Sequence, residues 1–309
     1  MPAADEVWRL QRDDEPECRW FREAVRGDRL PSRGSMQGTY VLTPGGECLG
    51  RINSGDPEKV ASMLTAALTK WRARPAPDDA DAAAPPPAPG HRWEQSYPSD
   101  GLVLERFARD VGAAPTEEPR RPVNRDAVWF SAEEATGWLP GEPEVGQKGK
   151  VAPIVVLRLA RTAFVDNVRG QTLPFAAAEI DRADLLYTVR AVDDEHVAFE
   201  LRGTTRAEAG GPWLGGESYW RPKREWPRSL ATGMRGHAIW DRTARRFVAF
   251  ELVALGTRRG RTAFNGRARE EAASMHRIGF ALRLAPAEFR VAPTFVNVYD
   301  ADWVTHPAK

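Results

Sequence analysis

The sequence predicts an α+β protein in two parts, a small helix–hairpin–helix module followed by a larger β-rich domain. Three observations carry this. A turn-rich hairpin pattern runs into one amphipathic helix over 39–74. A Pro/Ala-rich stretch without large apolar side chains follows over 75–91. From there to the C-terminus, short alternating apolar runs separated by turn residues dominate.

The first module is justified element by element. Residues 5–26 read as helix, with a break near Pro16, on the apolar positions Val7, Leu10, Cys18, Phe21, Ala24 and Val25. Thr39-Tyr-Val-Leu-Thr43 and Glu47-Cys-Leu-Gly-Arg-Ile52 are β-prone runs joined by Pro44-Gly45-Gly46, which supplies turn chemistry. Asp56 stands at an N-cap position with Pro57 at the first helical residue, where a missing N–H costs nothing. Val60, Met63, Leu64, Ala67, Leu68 and Trp71 then form one apolar stripe, and Lys70, Arg72 and Arg74 complement the dipole at the helix end.

The stretch over 75–91 carries six prolines and reads as an extended interdomain linker. It divides the chain into a module at 1–74 and a β-rich domain at 92–309, the latter an antiparallel sandwich or partly open barrel. Strands are expected at 154–159, at 185–192 and 196–202 as a hairpin, at 237–241 and 246–255 as a second hairpin, and at 278–284 and 294–299. Ser131-Ala-Glu-Glu134 is a capping box and predicts a short helix over 131–137.

Helix, polar loop, hairpin and final helix in that order resemble the second half of the thioredoxin fold. The resemblance rests on residues 37–53, Gln-Gly-Thr-Tyr-Val-Leu-Thr-Pro-Gly-Gly-Glu-Cys-Leu-Gly-Arg-Ile-Asn, followed by Asp56-Pro57, and covers residues 4–74. It implies a redox-silent module. The family's Cys-x-x-Cys is replaced here by Val7-Trp-Arg-Leu-Gln11, and Met36-Gln37-Gly38 stands where the family has a cis-proline. The family's leading strand and first helix have no counterpart in these residues. Residues 91–309 resemble no family.

Composition narrows function. Forty-four basic and 43 acidic residues leave a net charge of +1, so no overall field favours nucleic acid as a partner. No apolar run approaches the ~18 residues that span a bilayer. Met1-Pro-Ala-Ala-Asp-Glu6 has neither a basic nor an apolar leader region, so the chain as written reads as cytoplasmic; export is the alternative if a longer N-terminus exists. Two cysteines and five histidines, scattered, offer no structural metal site, and no cofactor motif is present.

Four features are candidates for chemistry. Cys18, between Glu15, Glu17 and Arg19, Arg22, is either a buried helix-face residue or a single reactive thiol. Trp213, Trp220 and Trp226 lie in a Gly/Pro-rich stretch suited to stacking on sugars or packing at a protein interface. Gly256-Thr-Arg-Arg-Gly-Arg-Thr-Ala-Phe-Asn-Gly-Arg267 gathers Arg258, Arg259, Arg261, Asn265 and Arg267. It reads as a solvated hairpin tip or as a cradle for carboxylate or phosphate. Asp166-Asn-Val-Arg-Gly170 reads as a turn, and joins that cradle only if the fold brings Asp166 and Arg169 to face it. No hydrolase nucleophile or zinc-protease motif occurs. The expectation is a non-catalytic binding or interaction protein for a protein, carbohydrate or small anionic ligand. The alternatives are a thiol enzyme using Cys18 and a hydrolase whose site is dispersed in the β-rich domain.

Overall fold

The computed structural model describes residues 10–11, 14–26, 36–75, 96–112, 123–170, 172, 174–210, 227–262, 265, 267, 270–271 and 273–294. The chain divides into two compact units, 1–92 and 93–309. Among the described residues, no helix is long and apolar enough to cross a membrane.

In the first unit, helix α1 spans Pro16–Arg26, strands β1 and β2 span Thr39–Leu42 and Cys48–Ile52, and helix α2 spans Pro57–Arg72. β1 and β2 pair antiparallel, with Thr39 opposite Ile52 and a bulge between Val41 and Leu42. The Asp56 carboxylate caps α2 by accepting from the N–H of Glu58 at 3.0 Å and of Lys59 at 3.4 Å. Only part of the expected apolar stripe is covered. Met63 and Ala67 lie against Gly50, where an added Cβ would stand 2.9 Å from Met63 Sδ. Leu64, Leu68 and Trp71 remain 45%, 45% and 41% exposed. The hairpin is two strands wide, so it can cover one side of the helix and no more.

The second unit is built on β3 (Leu102–Asp110), β4 (Asn124–Phe130), β5 (Lys148–Lys150), β6 (Ile180–Val192), β7 (His196–Ala209), β8 (Arg228–Asp241), β9 (Arg246–Gly260) and β10 (Met275–Leu284). They form one eight-stranded antiparallel sheet in the order β4-β3-β10-β9-β8-β7-β6-β5. Both expected hairpins are present and longer than the apolar runs alone indicated. Turn chemistry closes them. Asp193 Oδ1 accepts from the N–H of Glu195 and His196, and Asp241 Oδ1 from that of Ala244. The short helix α3, Ala132–Thr136, starts at the expected capping box, with Ser131 and Glu134 bonded reciprocally at 3.2 and 2.9 Å. The strand expected over 294–299 lies, apart from Thr294, outside the described residues.

One expectation is overturned. Residues 154–159 are not a strand but part of helix α4, Pro153–Arg158, which continues as a π-turn over Leu159–Ala163. A run of six mostly apolar residues has the same pattern in a buried helix as in a buried strand. Pro153 at the first helical position and the small Ala160 and Ala163 downstream are the cues that favour helix. Val155, Val156, Leu159, Ala160 and Ala163 are each at most 2% exposed, so most of this segment is covered, with Pro153 exposed and Ile154 and Leu157 partly covered at its start.

What covers it is the sheet. The helical segment touches β4 at one end of the strand order and β6 and β7 near the other, so the sheet curls around it. Inward-facing Leu104, Val128, Leu185, Val189, Leu201, Leu252 and Phe280 complete a single core with it. Curling of that degree brings neighbouring backbones close. A Cβ on Gly203 would lie 2.2 Å from Asp184 O, and one on Gly256 only 2.1 Å from Ala231 O.

The enclosed segment ends among buried residues, where a carbonyl needs a donor from the protein, and buried arginines donate to carbonyls at that end and in the chain packed against it. Fully buried Arg106 on β3 donates from Nε to Ala163 O and from an Nη to Val165 O at 2.7 Å. Its other Nη donates to Asn124 Oδ1 at 2.7 Å, 3.7 Å from Asp126. Arg161 Nε donates to Phe175 O at 2.8 Å, and Arg158 reaches Trp129 O at 2.7 Å while pairing with Glu134.

Gly256→Val is expected to destabilise the protein by about 2 kcal/mol or more, since the added side chain overlaps the β8 backbone. A urea-unfolding midpoint equal to wild type would contradict the close approach.

Candidate functional site

The fold brings two sequence-predicted polar patches together. Arg258 lies near the end of β9; Asn265 and Arg267 follow it; Asp166 and Arg169 follow the π-turn. At the end of the sheet they meet Asp110, the last residue of β3, together with Glu270 and His276. Far from a solvated tip, Arg258 and Arg267 are 3% and 1% exposed.

Arg267 is the centre of the cluster. Its Nε and one Nη bond the two oxygens of Asp166 at 2.9 and 2.8 Å. Its two Nη atoms also bond the two oxygens of Asp110, each at 2.8 Å, and one reaches Glu270 at 3.2 Å. All five N–H groups of the guanidinium are thereby used. Arg258 forks onto Glu270 at 2.7 and 2.9 Å and stands 3.4 Å from Asp166 and 3.6 Å from Asp110. Arg169 adds a contact to Asp110 at 3.3 Å, and His276 Nε2 lies 3.5 Å from Glu270. Three arginines thus face three carboxylates. Bidentate forks of this kind fix geometry as well as charge.

The electrostatics follow from that geometry. Burial alone would raise the Asp110 carboxyl, but the hydrogen bond from Arg267 and the charges of Arg267, Arg258 and Arg169 outweigh it and hold the group below its ordinary range. Glu270 is held low in the same way, burial opposing and Arg258 dominating. Arg267 is held protonated more firmly than an ordinary arginine, the hydrogen bonds it donates to Asp110 and Asp166 and their charges overcoming burial. Carboxylates kept ionised so firmly are poor proton shuttles near neutral pH. Their oxygens are also occupied by guanidinium groups, and among the described residues no three metal-ligating side chains gather. The cluster ties five chain segments together; it does not present a free anion cradle.

The remaining candidates separate. Arg259 is turned outward and pairs with Glu208 at 2.8 Å. Cys18 is 0% exposed on α1, its Sγ 3.9 Å from Glu15, so the thiol is closed to an external reagent in this fold. Trp213, Trp220 and Trp226 lie outside the described residues. Sequence reasoning missed Asp110 and Glu270, which stand 157 and 3 residues from Arg267 and carry no local motif. It also missed Arg228, which lies 4.7 Å over the Phe175 ring and donates to Pro174 O.

A second polar region lies along β5, β6 and β7, lined by Lys148, Lys150, Thr188, Arg190, Glu200 and Arg202, with an open volume of about 470 Å³. Its chemistry differs from that of the cluster because it is exposed. Glu200 accepts from both Arg190 and Arg202, and these bonds hold its carboxyl below the usual range. Arg190 and Arg202 are 58% and 60% exposed, so one carboxylate serves two accessible forks. Lys150 reaches only Asp184, at 3.8 Å. Four cations therefore line the groove against one carboxylate of its own.

No family model matches the chain, and neither the curated proteins nor the solved structures searched include a match.

Removing Arg267 leaves three partly buried carboxylates with only Arg258 and Arg169 to face them, so Arg267→Met is expected to cost about 3 kcal/mol. An unfolding free energy within 1 kcal/mol of wild type would contradict the pinning role. The pH dependence has a defined sign. Asp110 and Glu270 have folded-state pKa values below their unfolded ones, so the unfolded chain binds more protons in acid. Their contribution is present above the ordinary carboxylate range and is lost as pH falls through the depressed folded values. The Tm difference between wild type and Asp110→Asn is expected to shrink as pH falls from about 6 to about 3. A difference independent of pH would contradict the assignment.

Proposed function

We propose that the protein is a non-catalytic binding protein that recognises a partner's carboxylate or phosphate groups in the groove over β5–β7. The observation that carries this is the shared Glu200, which leaves two exposed arginine forks and two lysines around a single carboxylate. An incoming anion completes the pairing that Glu200 provides only in part. Arginine forks suit planar or tetrahedral oxyanions, and the lysines add unspecific attraction. The groove lies beside a short edge strand, and the cluster at the other polar site leaves its own arginines committed to Asp110, Asp166 and Glu270.

The first unit fits this reading as a redox-silent, thioredoxin-like interaction module. Its element order supports the likeness, and burial of Cys18 favours a structural thiol. On α2, exposed Leu64, Leu68 and Trp71 fall at i, i+4 and i+7, the spacing by which helices anchor in a partner's groove.

Calorimetric titration with inorganic pyrophosphate and with a polyglutamate peptide tests the groove. The Arg190→Ala/Arg202→Ala double variant is expected to weaken binding at least about tenfold, while Glu200→Gln strengthens it by freeing both forks. These side chains are exposed, so unfolding midpoints should stay near wild type. Equal affinity in wild type and the double variant, or no heat with either probe, would remove the proposal. Stronger response to one probe than the other distinguishes a phosphorylated ligand from an acidic protein segment.

A further inference from the structure

Beside the arginine–carboxylate cluster, Asp166, Thr172, Ser229, Arg258 and Asn265 wall a small cavity that Phe175 and Leu230 close on its apolar side. The space open to a water molecule's centre is about 20 Å³. Two of its lining residues each carry a buried atom that makes no hydrogen bond. Asn265, 2% exposed, offers an acceptor at Oδ1, and Arg258, 3% exposed, offers a donor at Nε. The nearest carboxylate oxygen to that Nε, on Asp166, is 3.4 Å away and badly aligned for a hydrogen bond. Buried donors and acceptors are nearly always satisfied, directly or through water.

We propose that this cavity is the binding site of one internal water molecule that accepts from Arg258 Nε and donates to Asn265 Oδ1. Charge and size select it together. A chloride ion suits the guanidinium but faces the amide oxygen and the Asp166 carboxylate. A cation suits those oxygens but faces the guanidinium. Only a molecule that both donates and accepts serves both walls, and the space excludes anything much larger than water. Ser229 supplies a third polar neighbour, in keeping with the ~3 hydrogen bonds that buried waters make. The bridge ties Asn265 to β9 next to the fork that Arg258 makes on Glu270. It is independent of the groove over β5–β7.

A high-resolution crystal structure of the full chain, with a second crystal soaked in bromide, tests the site. The expected result is one density peak within about 2.7–3.2 Å of both Arg258 Nε and Asn265 Oδ1, with no anomalous bromide signal. An empty cavity overturns the proposal. So does a bromide peak, which would mark an anion held with the Asn265 amide nitrogen turned toward it. In solution, the Arg258 Nε–H proton should show a cross-relaxation peak to a long-lived water. Asn265→Leu is expected to abolish that peak and leave the Arg267 Nε–H resonance in place. Survival of the water peak in a folded Asn265→Leu variant would overturn the bridge, and its absence from wild type would do so without any variant.

Discussion

A helix wrapped by a sheet buries backbone carbonyls at its end and in the strand and loop against it, and here arginine side chains supply donors to them. Arg106, Arg158 and Arg161 each reach a backbone oxygen of the enclosed region or of the strand and loop against it. Each guanidinium brings a positive charge inside, and the nearest carboxylates answer two of them, Asp126 for Arg106 and Glu134 for Arg158. The rest of the unit follows from this arrangement. The sheet must curl to enclose the segment, glycines such as Gly203 and Gly256 must stand where neighbouring backbones crowd, and Arg106 on β3 must reach across to the π-turn.

The same logic repeats at the end of the sheet. Segments that leave β3, the π-turn and β9 would separate without a link, and Arg267 links them with all five of its donors. That use of arginine distinguishes the two polar regions of the molecule. Buried forks committed to fixed carboxylates, as those of Arg267 and Arg258 are, build structure. Exposed forks that share Glu200 keep donors open to solvent, Arg190 on β6 and Arg202 on the neighbouring β7.

Legibility in the sequence tracked the range over which each feature is determined. Hairpins at Asp193 and Asp241 were readable because alternation and turn chemistry are local, and so were the caps at Asp56 and Ser131. Residues 154–159 misled because a fully enclosed segment shows no polar face from which to read a period. The apolar stripe of α2 was visible, but which part of it is covered depends on how wide the neighbouring hairpin is. The arginine stretch at 256–267 was conspicuous, and so was the turn at Asp166. Their meeting was not, because Asp110 and Arg267 are 157 residues apart. The groove at Glu200 has a related origin: Glu200 and Arg202 are neighbours on one face of β7, but Arg190 joins them only through the register of β6 on β7.

The segment over 153–163 packs inside the curled sheet, with Arg106 bonded to its last carbonyl. Native-state hydrogen exchange on the amides of Val155, Val156 and Phe164, which donate within this segment, tests it most directly. The account predicts that they exchange only with global unfolding, at the same free energy as the central amides of β8 and β9. Exchange of these amides at a lower free energy, while β8 and β9 stay protected, would show a segment that opens on its own and would contradict it.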